Sequence, residues 1–263
     1  MMKNSFNLQD ARGKLKPEEE KYELSELFYR HLPGPDAEVL YGIEYHKEMD
    51  PADAQLDIKD LLLPGYCNRE NGYCNLPNGG AYVAIKTNFY DCEVEWYNYW
   101  RKWRHDCSAE EADLRFKLWC PGSHDYLFSI PSGDGGKDIP AGFTEDLGYG
   151  NETLTTEIQV KPETLFEKEE FEQSPMVSIH GGGGVCGERL PYVGLHHIRM
   201  IEGGFEIRSR FWFGYTLEDG KLKFAKPEDL QLDPEFVYAY AHHVANEMAN
   251  LRTLLPAVWA TKK

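Results

Sequence analysis

The C-terminal segment constrains this fold more than any other stretch. Asp233 is a good N-cap and Pro234 suits the first helical position, so a long helix is predicted over residues 233–255, stopping before Pro256. Its apolar stripe is Val237, Tyr240, Val244, Met248 and Leu251. Upstream of it the chain reads as strands. VGLHHIRMIE and GFEIRSRFWFGYTL form a hairpin joined at Gly203-Gly204, and KLKFA continues the sheet. A long amphipathic helix after antiparallel strands has a natural apolar partner in one face of their sheet. The expected class is therefore α+β: a curved antiparallel sheet gripping a terminal helix, with a cavity between them.

Earlier elements are less sharply marked. Residues 1–36 are polar, with a short helix predicted over 18–29, and residues 37–65 hold an extended piece (VLYGIEY) and a short helix near 54–62. The turn-rich segment 66–80 reads as a loop or cap carrying Cys67 and Cys74. AYVAIKTNFY has strand character. EVEWYNYWRKWRH is helical, with Trp96, Tyr99, Trp100 and Trp103 at spacings of three and four; such rings either pack on the core or also wall a pocket. LRFKLWC alternates as a strand and ends at Pro121-Gly122-Ser123-His124. Residues 129–150 look like a long loop, LTTEIQV and MVSIH like strands, and the glycine run after His180 like a flexible loop.

Charge and motif content exclude several classes. Acidic residues number 44 against 28 basic, a formal charge of −16, which argues against nucleic acid or anionic lipid as a partner. No apolar run has membrane-spanning length, and the N-terminus lacks a signal-peptide apolar core, so a cytoplasmic location is expected. The six cysteines contain no CxxC pair and read as reduced thiols. GGGVCG matches a dinucleotide fingerprint in letters, but Glu-Arg-Leu-Pro follows it where a helix N-terminus is required. HGGGG resembles an esterase oxyanion loop, yet the chain has no G-x-S-x-G elbow.

What survives is a set of metal-ligand side chains. His243 and Glu247 lie one turn apart on one face of the last helix, beside its apolar stripe, where an ionised carboxylate is costly unless paired or bound to a cation. His124 follows a predicted strand end, Glu145 lies in the long loop, and alternation points one of His196 and His197 inward. Two histidines and two carboxylates suit zinc and, less specifically, iron or manganese.

Several stretches together resemble a known family: GYCNLPNGGAYVA, the Trp-rich helix, RFKLWCPGSH, LHHIR…FEIRSRFWFG and HHVANEMANLRTLLPAVW. They are similar to the zinc-dependent carbon–carbon hydrolases represented by 2,4-diacetylphloroglucinol hydrolase and phloretin hydrolase. The resemblance runs from about residue 66 to the C-terminus, which sets residues 1–65 apart as an N-terminal helical cap or arm and 66–263 as a catalytic domain. It implies a helix-grip fold like that of Bet v 1. It also implies zinc held by His124, a glutamate near 145, His243 and Glu247. Glu145, in Glu-Asp-Leu-Gly, fits the family pattern best, with Glu152 and Glu157 as alternatives.

Further implications concern the reaction. His197 is expected to act on the substrate carbonyl and Glu247 to share a proton role. The substrate pocket is expected to be walled by Trp100, Trp103, Phe116 and Trp212. Phe116 and Trp212 stand where substrate-contacting tyrosines would be expected. The implied activity is hydrolysis of the bond between an acyl group and a polyhydroxylated aromatic ring, with a small phenolic substrate as partner. A non-catalytic carrier of hydrophobic ligands on the same fold, and a metal-dependent oxidoreductase or lyase, stay open, as does homo-oligomerisation.

Overall fold

The β-branched and aromatic run of residues 190–213 does form the expected hairpin, and the rest of the sheet is built outward from it. The computed structural model describes residues 13–45, 48–130, 139–147, 152–159 and 162–262. In chain order the elements are α1 (Ala37–Leu40), β1 (Gly72–Asn75), β2 (Ala81–Tyr90), α2 (Val94–Trp103), α3 (Ala109–Trp119), β3 (His124–Ile130), β4 (Ile139–Asp146), β5 (Glu152–Gln159), α4 (Lys168–Glu172), β6 (Met176–Cys186), β7 (Leu190–Ile201), β8 (Gly204–Phe213), β9 (Tyr215–Glu218), β10 (Lys221–Phe224) and α5 (Pro234–Trp259). An eight-stranded antiparallel sheet runs in the order β1-β2-β8-β7-β6-β5-β4-β3. The class is α+β, with a mainly antiparallel sheet and a C-terminal helix.

Both faces of the sheet are covered. On the inner face, Val83, Ile85, Phe205, Ile207 and Phe213 pack with Val237, Val244 and Leu251 of α5 and with Trp100 of α2. On the outer face, Tyr82, Ala84, Val193, Leu195 and Trp212 pack with Met49, Ile58 and Leu61. Residues ahead of β1 thus feed both layers, since Phe28, Val39 and Ile43 join the inner one. Among the described residues no helix is long and apolar enough to cross a membrane. All six cysteines are free thiols.

Several expectations are corrected. LRFKLWC is not a strand but the second half of α3, whose N-cap Ser108 accepts from the Glu111 amide. The alternation misleads because its polar members are buried in ion pairs, Arg115 with Glu111 and Lys117 with Glu19. VLYGIEY is helical rather than extended: α1 widens into a π turn at Tyr41–Tyr45, so that Val39 and Ile43, four apart, share a buried face. The helices predicted over 18–29 and near 54–62 are 3-10 turns, at Glu19–Lys21 and Glu23–Tyr29 in the first and at Ile58–Leu62 in the second.

The segment 66–80 contributes edge strand β1, and part of the predicted 129–150 loop is β4. The glycine run is no flexible loop either. It lies within β6, hydrogen-bonded between β5 and β7, and Gly181 sits so close to its neighbour that a Cβ there would come 2.0 Å from the Gly194 carbonyl oxygen. KLKFA does not extend the main sheet but pairs with β9 in a separate ribbon, because Gly214, at φ 88°, turns the chain out after β8. Finally, α5 continues through Pro256 to Trp259. Pro256 cannot donate to the Arg252 carbonyl, and the Cys92 thiol, 3.7 Å away, takes that place.

Candidate metal centre

Four ligand-bearing residues arrive in two pairs, each fixed by a different local geometry. His124 opens β3 and is the cross-strand partner of Glu145 on β4. The histidine therefore does not follow a strand, and the glutamate belongs to a strand rather than a loop. His243 and Glu247 face the same way from consecutive turns of α5. One ligand atom from each of the four lies within 4.8 Å of the other three. All four residues are buried.

The donor pattern decides what this cluster accepts. His124 Nδ1 lies 3.1 Å from the Phe116 carbonyl oxygen, so Nδ1 carries the proton and donates. Nε2 turns inward and lies 3.2 Å from Glu145 Oε1 and 3.4 Å from Glu247 Oε2. Among the described residues Nε2 has no hydrogen-bond partner although it is buried. Two carboxylates converging in a dry site repel each other unless positive charge, as a proton on an imidazole or a metal ion, sits among them. His243 Nε2 completes the ring at 3.3 Å from Glu145 Oε1 and 3.6 Å from Glu247 Oε2, while Ser123 Oγ lies 3.0 Å from its Nδ1.

Electrostatics say the same. Burial opposes the charge on Glu145, yet His243 and His124 hold its carboxyl down at about 2. Burial alone would discharge His243, but Glu145 and then Glu247 drive its pKa well above the ordinary imidazole value. Without another cation the carboxylates pull a proton onto His243. Two imidazoles and two carboxylates with tethered outer nitrogens form a donor set that fits a divalent transition metal such as zinc. Cys120, also buried, joins His124 and His243 in an overlapping group.

Neighbouring contacts lock the cluster in place. Trp119 Nε1 donates to the Glu247 carbonyl at 3.1 Å, and Asn250 Nδ2 donates to the Trp119 carbonyl, clamping α3 to α5. The Phe116 ring stacks on His124 with centroids 3.9 Å apart.

The cluster opens onto a cavity of about 100 Å³ walled by Trp100, Phe116, Trp119, Phe143, Phe211 and Tyr240, with Glu145, His243 and Glu247 in its lining. Trp100 and Phe116 both lie in this lining. Three other residues do not. Trp103 is buried away from the cavity, its ring under the Arg115 guanidinium at 4.3 Å. Trp212 lies on the outer face of the sheet and donates its indole N–H to the Gln55 carbonyl at 2.6 Å.

The most consequential displacement is His197. It too points to the outer face, fully buried beside its cross-strand neighbour Arg208. Its predecessor His196 is the histidine that lines the cavity. Ser209 Oγ lies 2.8 Å from His196 Nδ1, and burial, with Arg104 and Arg101, pushes the pKa down to about 4. His196 is thus a neutral imidazole near pH 7. Alternation foretells that one of the two turns inward, but β7 buries both faces, so its apolar pattern does not say which. Sequence reasoning also misses Arg101, Arg104, His105 and His180 in the cavity lining. The i, i+3 spacing of Arg101 and Arg104 beside Trp100 is the signal that could have found the first two.

An antiparallel sheet, a covering terminal helix and a buried two-histidine, two-carboxylate cluster beside an aromatic cavity together define a protein built around a candidate metal centre. The chain belongs to the DAPG hydrolase PhiG domain family, whose model matches residues 54–260. It is similar along its whole length to a phloretin hydrolase from Eubacterium ramulus, at 23% identity over 288 residues, covering 100% of this chain and 99% of the relative. Among solved structures, an uncharacterised protein from Rhizobium leguminosarum matches at 12% identity over 66% of this chain and 95% of its own, with a TM-score of 0.27, too low to speak to the fold.

Proposed function

We propose that this protein is a zinc-dependent hydrolase that cleaves the bond between an acyl group and a polyhydroxylated aromatic ring, on a helix-grip scaffold of the Bet v 1 kind. The observation that carries the reading is the convergence of His124, His243, Glu145 and Glu247, all buried, beside an aromatic cavity. Family membership and the similarity to a phloretin hydrolase support the reaction class. No serine elbow is present in the sequence, which disfavours an acyl-enzyme.

The overall change adds water across an aryl–acyl bond. Hydroxyl goes to the acyl carbon, giving a carboxylic acid, and a proton goes to the ring carbon. Zinc held by His124, Glu145, His243 and Glu247 would supply Lewis acidity and lower the pKa of water. The chain's own residues do the rest. Trp100 and Phe116 offer faces for the ring and exclude water. His196, neutral and facing the cavity, holds or passes a proton through Nε2, while Ser209 fixes its other nitrogen. His196 thus takes the role expected of His197. Glu247, beside the cavity, would both bind the metal and share a proton with substrate.

The test is metal analysis combined with turnover. Purified protein should hold about one zinc per chain, and a chelator should abolish cleavage of phloretin until zinc is returned. In labelled water one labelled oxygen should enter the released acid and none the ring. Full activity without metal would sink the proposal, as would ester hydrolysis with no carbon–carbon cleavage on any acylphenol.

A further inference from the structure

The last carbonyls of an α-helix have no donors within the helix, and at the end of α3 side chains from three parts of the chain supply them. The Phe116 carbonyl takes the Nδ1 proton of His124 at 3.1 Å. The Trp119 carbonyl accepts from Asn250 Nδ2 on α5. The Leu118 carbonyl accepts from Arg30 Nη2 at 2.6 Å. That nitrogen carries two N–H groups, and it also donates to Asn250 Oδ1 at 2.9 Å. Arg30 closes the 3-10 turn Glu23–Tyr29, and its Nη1 donates back to the Leu27 carbonyl, which fixes the plane of the guanidinium. A cation suits this place, because the carbonyl end of a helix is its negative pole. Leu118 and Asn250 are fully buried, so losing the guanidinium leaves buried acceptors unpaired.

Both halves of the candidate metal centre are tied to this one turn. His124 is held through Phe116, and the Glu247 carbonyl accepts from the Trp119 indole N–H at 3.1 Å. Asn250 lies on α5 one turn beyond Glu247. Two further contacts fasten the N-terminal segment to the same region. The Gly13 amide donates to the Pro121 carbonyl at 2.9 Å, and the buried Glu19 pairs with Lys117 at 2.8 Å. Lys117 in turn lies 3.3 Å from Asp125, the neighbour of His124 on β3. Among the described residues, none from this segment lines the cavity.

Resting on the proposed zinc centre, we infer that Arg30 is a positioning residue for it: by joining the last turn of α3 to Asn250 of α5, its guanidinium sets the spacing between His124 and the His243–Glu247 pair. Two ligands come from a strand pair and two from a helix, and zinc needs all four near tetrahedral positions. Helix α3 bridges the two sources, so slack in its last turn becomes slack in ligand geometry. The N-terminal segment then supports the site from behind without touching substrate.

The experiment compares wild type with R30M, which keeps an unbranched stem and removes the donors, and with R30Q, which keeps one N–H donor group. Zinc affinity is measured by competition with a chromophoric chelator. Cobalt(II) is then put in place of zinc, since its visible absorption bands report coordination geometry. R30M should bind zinc about tenfold more weakly, the low end of the effect of outer contacts on metal ligands. Its cobalt bands should differ from wild type in position and intensity. With zinc saturating, kcat for phloretin should fall while KM stays near wild type. R30Q should show the same changes to a smaller degree, and it decides the matter if R30M does not fold. Glu70→Gln, destabilised through the outer face, is the control for lost stability and should keep the wild-type zinc affinity and cobalt bands. If the Arg30 variants lose stability but match wild type in both readouts, or if Glu70→Gln alters the bands as they do, Arg30 is only structural and the inference is wrong, with the metal reading untouched. If wild type takes up neither zinc nor cobalt, the metal reading fails and the inference falls with it. Normal zinc binding by wild type without cleavage of phloretin or any other acylphenol would count against the hydrolase reading alone.

Discussion

Charge is buried against both faces of the main sheet, and the two faces treat it in opposite ways. On the outer face the charges answer each other. Arg199 pairs with Glu206 at 2.5 Å, Arg208 with Glu70 at 2.7 Å, and Arg210 with the other oxygen of Glu70. Tyr66 donates to Glu206 at 3.0 Å, and Gln55 accepts from Arg210 at 2.7 Å. On the inner face Glu145 and Glu247 gather with His124 and His243, and among the described residues no arginine or lysine pairs with either carboxylate. A buried carboxylate with its guanidinium beside it is a structural element. A buried pair of carboxylates whose nearest partners are imidazole nitrogens is a group that could hold a cation. Position in the sheet, not residue type, separates scaffold from site, and the consecutive residues His196 and His197 show it most directly.

The largest contrast should come from removing one carboxylate on each side. Glu247→Ala, like His243→Ala, should release the metal and cut turnover by at least about 10³-fold, since several kcal/mol of charge stabilisation leave with the ion. Glu70→Gln should leave metal content intact and instead cost about 3–5 kcal/mol of stability by orphaning two buried arginines. Metal analysis and urea denaturation of the variants check this. Zinc lost from Glu70→Gln but kept by Glu247→Ala would reverse the assignment of the two faces.

Acid should reveal the outer network next. Burial opposes ionisation of Glu70, but Arg210 and Arg208 outweigh it and hold the carboxyl at about 2, against 4.5 as its ordinary value. A depressed acid stabilises the fold above its unfolded pKa, and that contribution disappears as pH falls from about 4.5 to about 2. The shift corresponds to about 3 kcal/mol. Wild-type stability should decline through that window more steeply than that of Glu70→Gln, measured by denaturant titration at stepped pH. Parallel curves would remove Glu70 as the acid-sensitive link.

The finest test separates the two histidines. His196→Ala should lower turnover about 10²-fold with zinc retained, the scale of a lost proton-transfer group. His197→Ala should leave turnover near wild type and register chiefly as a change in stability, because the residue is sealed behind the sheet. The opposite outcome would show that the sheet presents its other face to substrate.

Much of the site is legible in the amino-acid sequence. The helix boundary at Asp233 and Pro234, the one-turn pairing of His243 with Glu247, and Trp100 in a pocket-lining helix follow from capping chemistry and helical periodicity. His124 and Glu145 are legible as candidate ligands but not in their setting, since local pattern puts one after a strand and the other in a loop. Their actual relation, opposite each other across β3 and β4, is a pairing between segments. Glu152 and Glu157 lie on β5, and their side chains fall outside the described residues. Arg115 and Lys117 mislead because buried ion pairs imitate the polar half of a strand.

The sequence by itself determined the elements whose signals are local: the terminal helix with its histidine and glutamate one turn apart, the β7–β8 hairpin, and the aromatic helix α2. Tertiary structure alone decided which histidine meets the cavity, which aromatics wall it, and that Arg101 and Arg104 share it with the carboxylates. The physical reason is that this sheet is buried on both sides. Alternation marks two faces but names neither as inside, and only the packing of α5 against one of them makes that face a site.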